Sequence, residues 1–319
     1  MNLRLLKRNI PFLATATVCI LLYLAAGFRY ENFFSIRVFL NFISENAVLG
    51  VAAVGMTMVI LSGGIDLSVG SVVGVVSISM ALLIEKHGVP ASAAIPLMLI
   101  SGGLFGAGMG ALIHFYSLPP FLVTLAGMFF ARGLGFVLQL ESMPITRQVS
   151  DIVSALTIPL GPEYELAATS LIFISLLVVA MLVVHFTPFG RNVYAIGGNE
   201  PSSLLMGLPI AATKIGVYAA SGFCSALAGV VYTFYTTSGN PTAGVGLELE
   251  AIAAAVIGGT LLSGGVGYLA GTLLGVLIFA MIQTIVIFEN INSWWTKIIV
   301  GLLLLVFILL QKLIQAKKA

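Results

Sequence analysis

The sequence predicts an all-α polytopic membrane protein of about ten transmembrane helices, with helix breaks and an internal repeat, and three observations carry that expectation. Of 319 residues, 59% are hydrophobic and 8% are charged, against roughly 45–50% and about 25% in soluble domains, so the polar surface of a water-soluble globule is missing. The apolar residues are gathered into runs long enough to cross a hydrocarbon layer about 30 Å thick, which takes about 20 helical residues. The 35 glycines fall repeatedly at four-residue spacing, the pattern by which membrane helices approach closely. Ten spans use about 200 residues, so residues 1–319 read as one membrane domain with no room for a soluble one. Fourteen Lys/Arg against twelve Asp/Glu supply neither a nucleic-acid footprint nor an acidic tail.

Taken in order, Arg4, Lys7 and Arg8 precede an apolar run at 11–28. It is long for a signal-peptide core and lacks a convincing small-x-small site after it, so it reads as an uncleaved first span. Further runs cover 39–61, 69–85, 91–116, 121–140, 166–187, 214–236, 248–262, 268–288 and 295–311. The eighth, 248–262, is short for a span and has a re-entrant reading as well. With the N-terminus in the cytoplasm, Arg4, Lys7, Arg8, Arg191, Lys214, Lys312, Lys317 and Lys318 fall inside, and Arg29, Arg37, Lys86, Arg147 and Lys297 outside. That excess favours this orientation. Two basic termini on one side also require an even number of crossings. Cys19 and Cys224 lie within apolar runs and read as small core residues.

Leu61–Met80 and Leu262–Met281 align without a gap and share eight of twenty positions, including Ser-Gly-Gly and the glycines at 70/271 and 74/275. This reads as a duplicated helix–break–helix unit, with chance similarity of Gly-rich apolar segments as the competing account. Gly102, Gly106 and Gly110, with the repeated pairs, read as packing seams.

Chemistry is sparse. The stretch Ser62-Gly63-Gly64-Ile65-Asp66-Leu67-Ser68 interrupts two apolar runs. A helix broken at membrane depth must find partners for its freed backbone groups or line a cavity. Asp66 therefore has two readings, a pathway residue or a turn and N-cap residue for the following helix. Asn46, Glu250 and Gln283 are further polar groups within the spans, and with Asp66 and Ser68 they are the candidate substrate pathway. Glu248 reads as an outer-vestibule residue or a helix N-terminal acid. Arg132 pairs with one of these acids or snorkels. His87, His114 and His185 are scattered, without metal-ligand spacing, and no phosphate-binding Gly-x-x-x-x-Gly-Lys-Ser/Thr occurs. The loop Thr187–Lys214 (TPFGRNVYAIGGNEPSSLLMGLPIAATK) presents a surface helix that suits either a cytosolic partner or the membrane interface alone.

The strings GMTMVILSGGIDLSVGS (55–71), FGRNVYAIGGNE (189–200) and AGVGLELEAIAAAVIGGTLLSGGVG (243–267) resemble the inner-membrane permease subunits of bacterial ATP-binding-cassette importers for monosaccharides, the ribose/galactose/xylose group. The details FLVTLAGMFFARG (121–133), IGGTLLSGGVG (257–267) and SWWTKI (293–298) resemble most the galactofuranose-type permease. The resemblance implies a multi-pass chain of the bacterial inner membrane with both termini cytoplasmic. It implies three partners besides lipid: a cytosolic ATPase, a periplasmic sugar-binding protein, and a second permease subunit in a heterodimer or homodimer. No cofactor is expected on this chain, and ATP and Mg belong to the ATPase. Gly190, Arg191, Tyr194, Gly197, Gly198, Asn199 and Glu200 then fall in the family's ATPase-contacting loop, and Asp66 and Ser68 near its pathway. The function expected is alternating-access transport of a monosaccharide, galactofuranose or a related sugar, by a chain that is not itself an enzyme. The rivals are an ion-coupled secondary transporter, with Asp66 or Glu250 carrying the ion, and a purely structural or channel-forming subunit.

Overall fold

A computed structural model describes residues 3–145, 147–161 and 164–316; Lys317 and Lys318 lie outside them. The elements run α1 Leu3–Arg29, α2 Ile36–Glu45, α3 Ala47–Leu61, α4 Val69–Ala81 with a π-helical turn Leu82–Lys86, α5 Ala91–Phe115 and α6 Pro120–Leu138. After β1 Met143–Pro144, α7 Arg147–Leu156, β2 Ile158–Pro159 and β3 Glu165–Leu166 come α8 Ala168–Phe186, α9 Pro188–Gly198, α10 Glu200–Leu205 and α11 Ile210–Thr236. β4 Ser238–Gly239, α12 Leu247–Ile257, α13 Leu269–Phe288 and α14 Trp294–Ala316 complete the chain. The protein is an all-α polytopic membrane protein. Among the described residues, eight helices are long and apolar enough to cross a membrane, and a ninth span arises when α2 and α3, bent by 57°, are taken together.

The bend has a local cause. Asn46 stands between the two helices, and its Nδ2 donates to the Phe42 carbonyl at 3.2 Å. Beyond it α3 is apolar all round, and 14 of its 15 residues are buried, as a helix at the centre of a bundle must be. Around α3 pack α11, α12, α8 and α13. α5 lies along α11, where a Cβ on Gly106 would overlap the Tyr218 carbonyl and one on Gly222 the Gly102 carbonyl. Backbones in contact replace with dispersion the hydrophobic drive that lipid does not supply. Outward faces such as Leu97, Ile100 and Leu104 on α5 and Leu302, Leu305 and Leu309 on α14 are exposed, the apolar surface a bilayer covers.

Contacts sort the chain into two ends. Phe12 of α1 meets Tyr268, and Gln311 of α14 donates to the carbonyls of Val256 and Thr260. The outer turns of both terminal helices therefore share one end with α9, α10 and the breaks that follow α3 and α12. At the opposite end Tyr30 donates to Glu289 Oε1 at 2.5 Å beside Arg29, and the antiparallel pairs β1–β4 and β2–β3 form.

The expected span at 248–262 takes a different form. α12 has 11 residues, about 16 Å at 1.5 Å per residue, half of what a bilayer needs. The non-helical segment 238–246 continues the same passage, running along α4 from Ser77 down to Gly70. Gly239, Gly244 (φ +70°) and Gly246 (φ +85°) allow it to do so. Gly70 and Gly74, expected to form a helix–helix seam, instead hold this non-helical chain: a Cβ at Gly70 would overlap the Gly244 carbonyl. Gly271 and Gly275 face Gly258 and Ala254 on the α12 side.

Candidate coupling junction and polar cavities

The two aligned segments are both helix–break–helix, and their breaks touch. Gly63 (φ +84°), Gly264 (φ +82°) and Gly265 (φ +72°) adopt the left-handed conformation that glycine enters without a Cβ penalty. The Gly265 N–H donates to the Leu61 carbonyl at 2.9 Å, and Gly264 lies against the Gly63 backbone. Across both runs α9, whose start is set by Thr187 accepting from the Gly190 N–H at 3.4 Å. A Cβ on Gly197 would overlap the Leu61 carbonyl and crowd the Gly265 nitrogen. Tyr194 Oη donates to the Gly267 carbonyl at 2.9 Å. One short helix is thus in contact with both breaks at once.

The first break is held by Asp66, which is fully buried. Its Oδ1 accepts from the Ser68 N–H at 2.9 Å and the Ser68 hydroxyl at 2.7 Å, and its Oδ2 from the Ser221 hydroxyl of α11 at 2.7 Å. Burial pushes its carboxyl up from the ordinary range, and the bonds from Ser68 and Ser221 pull the other way. Both Asp66 and Ser68 are engaged in fastening the turn.

The remaining residues of the 187–214 loop divide by face. Arg191, Gly198, Asn199 and Glu200 are exposed. Asn199 Oδ1 caps α10 by accepting from the Ser202 N–H at 2.8 Å, and Glu200 pairs with Lys214 at 2.7 Å. Gly190 sits where a Cβ would overlap the Val184 carbonyl, which permits the tight turn from α8 into α9. A polar cavity of about 370 Å³ opens beside this junction, lined among others by Ser62, Gly64, His114, Ser117, Glu200 and Lys214.

At the opposite end the structure brings together Glu250 and Gln283. They line a cavity of about 300 Å³ with Phe279, Ser293, Trp294, Thr296 and Lys297. Asn46 joins neither group, since it serves the α2–α3 bend. Of the two readings of Arg132, pairing with an acid is met in part: Glu248 acts on it electrostatically, short of a close ion pair. Its Nη1 donates to the carbonyls of Pro241 and Ala243 at 2.7 and 2.8 Å, and the ion pairs among the described residues are Arg29–Glu289 and Lys214–Glu200. A non-helical backbone inside a membrane exposes carbonyls that lipid cannot satisfy, and a guanidinium is suited to serve two of them. Pro241 within a glycine-rich stretch was the available signal for this non-helical segment; nothing local in the sequence linked it to Arg132.

Comparison with known proteins gives relatives that span nearly the whole chain. It is 47% identical to the inner membrane ABC transporter permease protein YjfF of Escherichia coli K12, over 97% of this chain and 93% of that one. It is 36% identical to the fructose import permease protein FruG of Bifidobacterium longum over 97% and 93%, and 38% identical to the ribose import permease protein RbsC of Haemophilus influenzae over 90% and 88%. No solved structure matches the chain. The family model described as branched-chain amino acid transport system / permease component matches residues 38–308, so this glycine-broken helical bundle belongs to that family of transporter permease components.

Proposed function

We propose that the chain is the permease subunit of an ATP-binding-cassette importer that moves a monosaccharide, galactofuranose or a related sugar, across the bacterial inner membrane. The carrying observation is the junction at which α9 contacts both breaks. In this reading the end bearing α9 and α10 faces the cytoplasm with both termini, and a partner ATPase binds ATP and Mg²⁺ and presses on Gly190, Arg191, Tyr194, Gly197, Gly198, Asn199 and Glu200. The opposite end receives sugar from a periplasmic binding protein. A second permease subunit, a different chain in a heterodimer, completes the pathway. Displacement of α9 is transmitted through Gly197 and Tyr194 to the turns after α3 and α12, and these rotate the half-helix α12 and the segment 238–246 against α4. Two packings of such a junction give inward and outward access, and ATP biases their populations. Asp66, Ser68 and Asn46 border the pathway as the residues that shape its turns, while Glu250 and Gln283 face it.

The relatives named for fructose and ribose support a sugar rather than the amino acid in the family description. The three donors around Asp66 speak against an ion carrier at that carboxylate, because a coupling ion would have to displace them. The test is uptake into proteoliposomes holding permease, ATPase and receptor. Uptake is expected to require ATP and to survive collapse of the proton gradient at constant ATP. Ion-driven uptake with no ATPase present overturns the proposal.

A further inference from the structure

From the cavity between α12, α13 and α14 we infer a sugar-reading site, entered from the end opposite α9, with Glu250, Gln283, Thr296 and Trp294 as its contact residues. The inference rests on the sugar-importer reading and adds to it the place and chemistry of recognition. Gln283 is exposed although it lies more than a turn inside the end of α13 at Phe288, and Glu250 lies in the first turn of α12. Polar groups at that depth face a water-filled path or another protein surface, not lipid.

The Thr296 side chain is 94% buried by its 6% residual exposure, lines the cavity, and its Oγ1 has no hydrogen-bond partner. A buried hydroxyl left unpaired is costly; the oxygen lies closed off behind the wall, and a turn of the side chain would bring it to a ligand hydroxyl. The donors and acceptors are mixed: a carboxylate, a carboxamide, the Ser293 and Thr296 hydroxyls and the Lys297 ammonium. That set matches adjacent hydroxyls, each both donor and acceptor. Lys297 Nζ sits 4.8 Å from the Trp294 ring centroid and acts on Glu250 electrostatically, against the opposing carboxylate of Glu248. Trp294 is otherwise 65% exposed and offers an indole surface to the C–H face of a pyranose or furanose ring. About 300 Å³ lies at the small end of ligand pockets, as a single sugar ring requires.

The experiment uses the complete importer in proteoliposomes, with labelled D-galactose, D-ribose, D-fructose and L-leucine as probes. Thr296→Val keeps the shape and removes only the unpaired hydroxyl, so its melting temperature in detergent is expected to stay level or rise. Its ATP-dependent uptake of the transported sugar at saturating concentration is expected to fall at least fivefold. In a chain with Cys19→Ser and Cys224→Ala, a Gln283→Cys variant is expected to lose uptake when a membrane-impermeant sulfonated thiol reagent is added from the receptor side. Sugar uptake at the wild-type rate by Thr296→Val, or indifference of Gln283→Cys to the reagent, overturns the site while leaving the importer reading intact. A wild-type importer that takes up L-leucine and none of the sugars overturns the reading itself, and the site with it.

Discussion

The two breaks share Ser-Gly-Gly and a left-handed glycine at the same register, yet they are held by different means. At the first, Asp66 gathers Ser68 and Ser221 and so fastens the turn with its own side chain. The aligned position in the second is Gly267, which has no side chain to offer. That turn closes on itself through backbone, the Leu261 N–H donating to the Val266 carbonyl at 2.9 Å, and takes side-chain ties from Tyr194 of α9 to the Gly267 carbonyl, from Gln311 of α14 to Val256 and Thr260, and from Thr15 of α1 to the Ile257 carbonyl. The first break has outside ties as well, from Ser221 of α11 and from Thr124 of α6 on the Ile65 carbonyl. In the proposed mechanism the Tyr194 hydrogen bond makes the second break the place where displacement of α9 enters the bundle. The glycine pairs differ likewise: 70/74 hold a turn-rich non-helical segment and 271/275 the α12 side, so the spacing provides a groove without choosing its occupant.

The largest effect is expected at Gly197, against which both turns pack. Gly197→Val forces atoms into the Leu61 carbonyl and Gly265 nitrogen; overpacking of this kind costs about 1–3 kcal/mol or more. Thermal melting in detergent should fall and ATP-dependent uptake should be abolished. Retained uptake would mean that the breaks move without α9. Asp66→Ala should come next, since it leaves three donors without their acceptor, and an orphaned buried group costs about 1–3 kcal/mol. Asp66→Asn, which keeps an acceptor for Ser68, should recover part of the loss in the same melting assay.

Arg132→Met strips the Pro241 and Ala243 carbonyls of their donor, a loss of about 2 kcal/mol on the same scale. Faster amide exchange confined to 238–246 is the expected readout, and uniform exchange across the bundle would contradict it. Tyr194→Phe removes one hydrogen bond worth about 1 kcal/mol. It should leave assembly intact and raise the ATP consumed per sugar moved; an unchanged ratio would place the coupling elsewhere. Glu200→Gln is the smallest change. A pair with one side chain 45% exposed contributes less than about 1 kcal/mol, so melting should not move. With Arg191→Ala beside it, reduced co-purification of the ATPase would mark this face as the docking surface.

Composition and hydropathy determine membrane residence and helical class, because only a helix satisfies its own backbone in hydrocarbon and each span needs a fixed length of apolar residues. The two breaks are legible for a similar reason: Ser-Gly-Gly within an apolar run is a local signal, and it appears twice. What each polar residue does is not local. For Asp66 the sequence supports a pathway and a capping reading alike, and it gives no sign of Ser221, 155 positions away, on the second carboxylate oxygen. Arg132 finds carbonyls 109 and 111 positions away, and Glu250 meets Gln283 and Trp294 only because α12, α13 and α14 converge. Period, length and glycine are properties of neighbouring residues, so the sequence alone determines the class, the breaks and the apolar faces. The partner of a buried polar group is set by which helices pack together, and only the tertiary structure decides that.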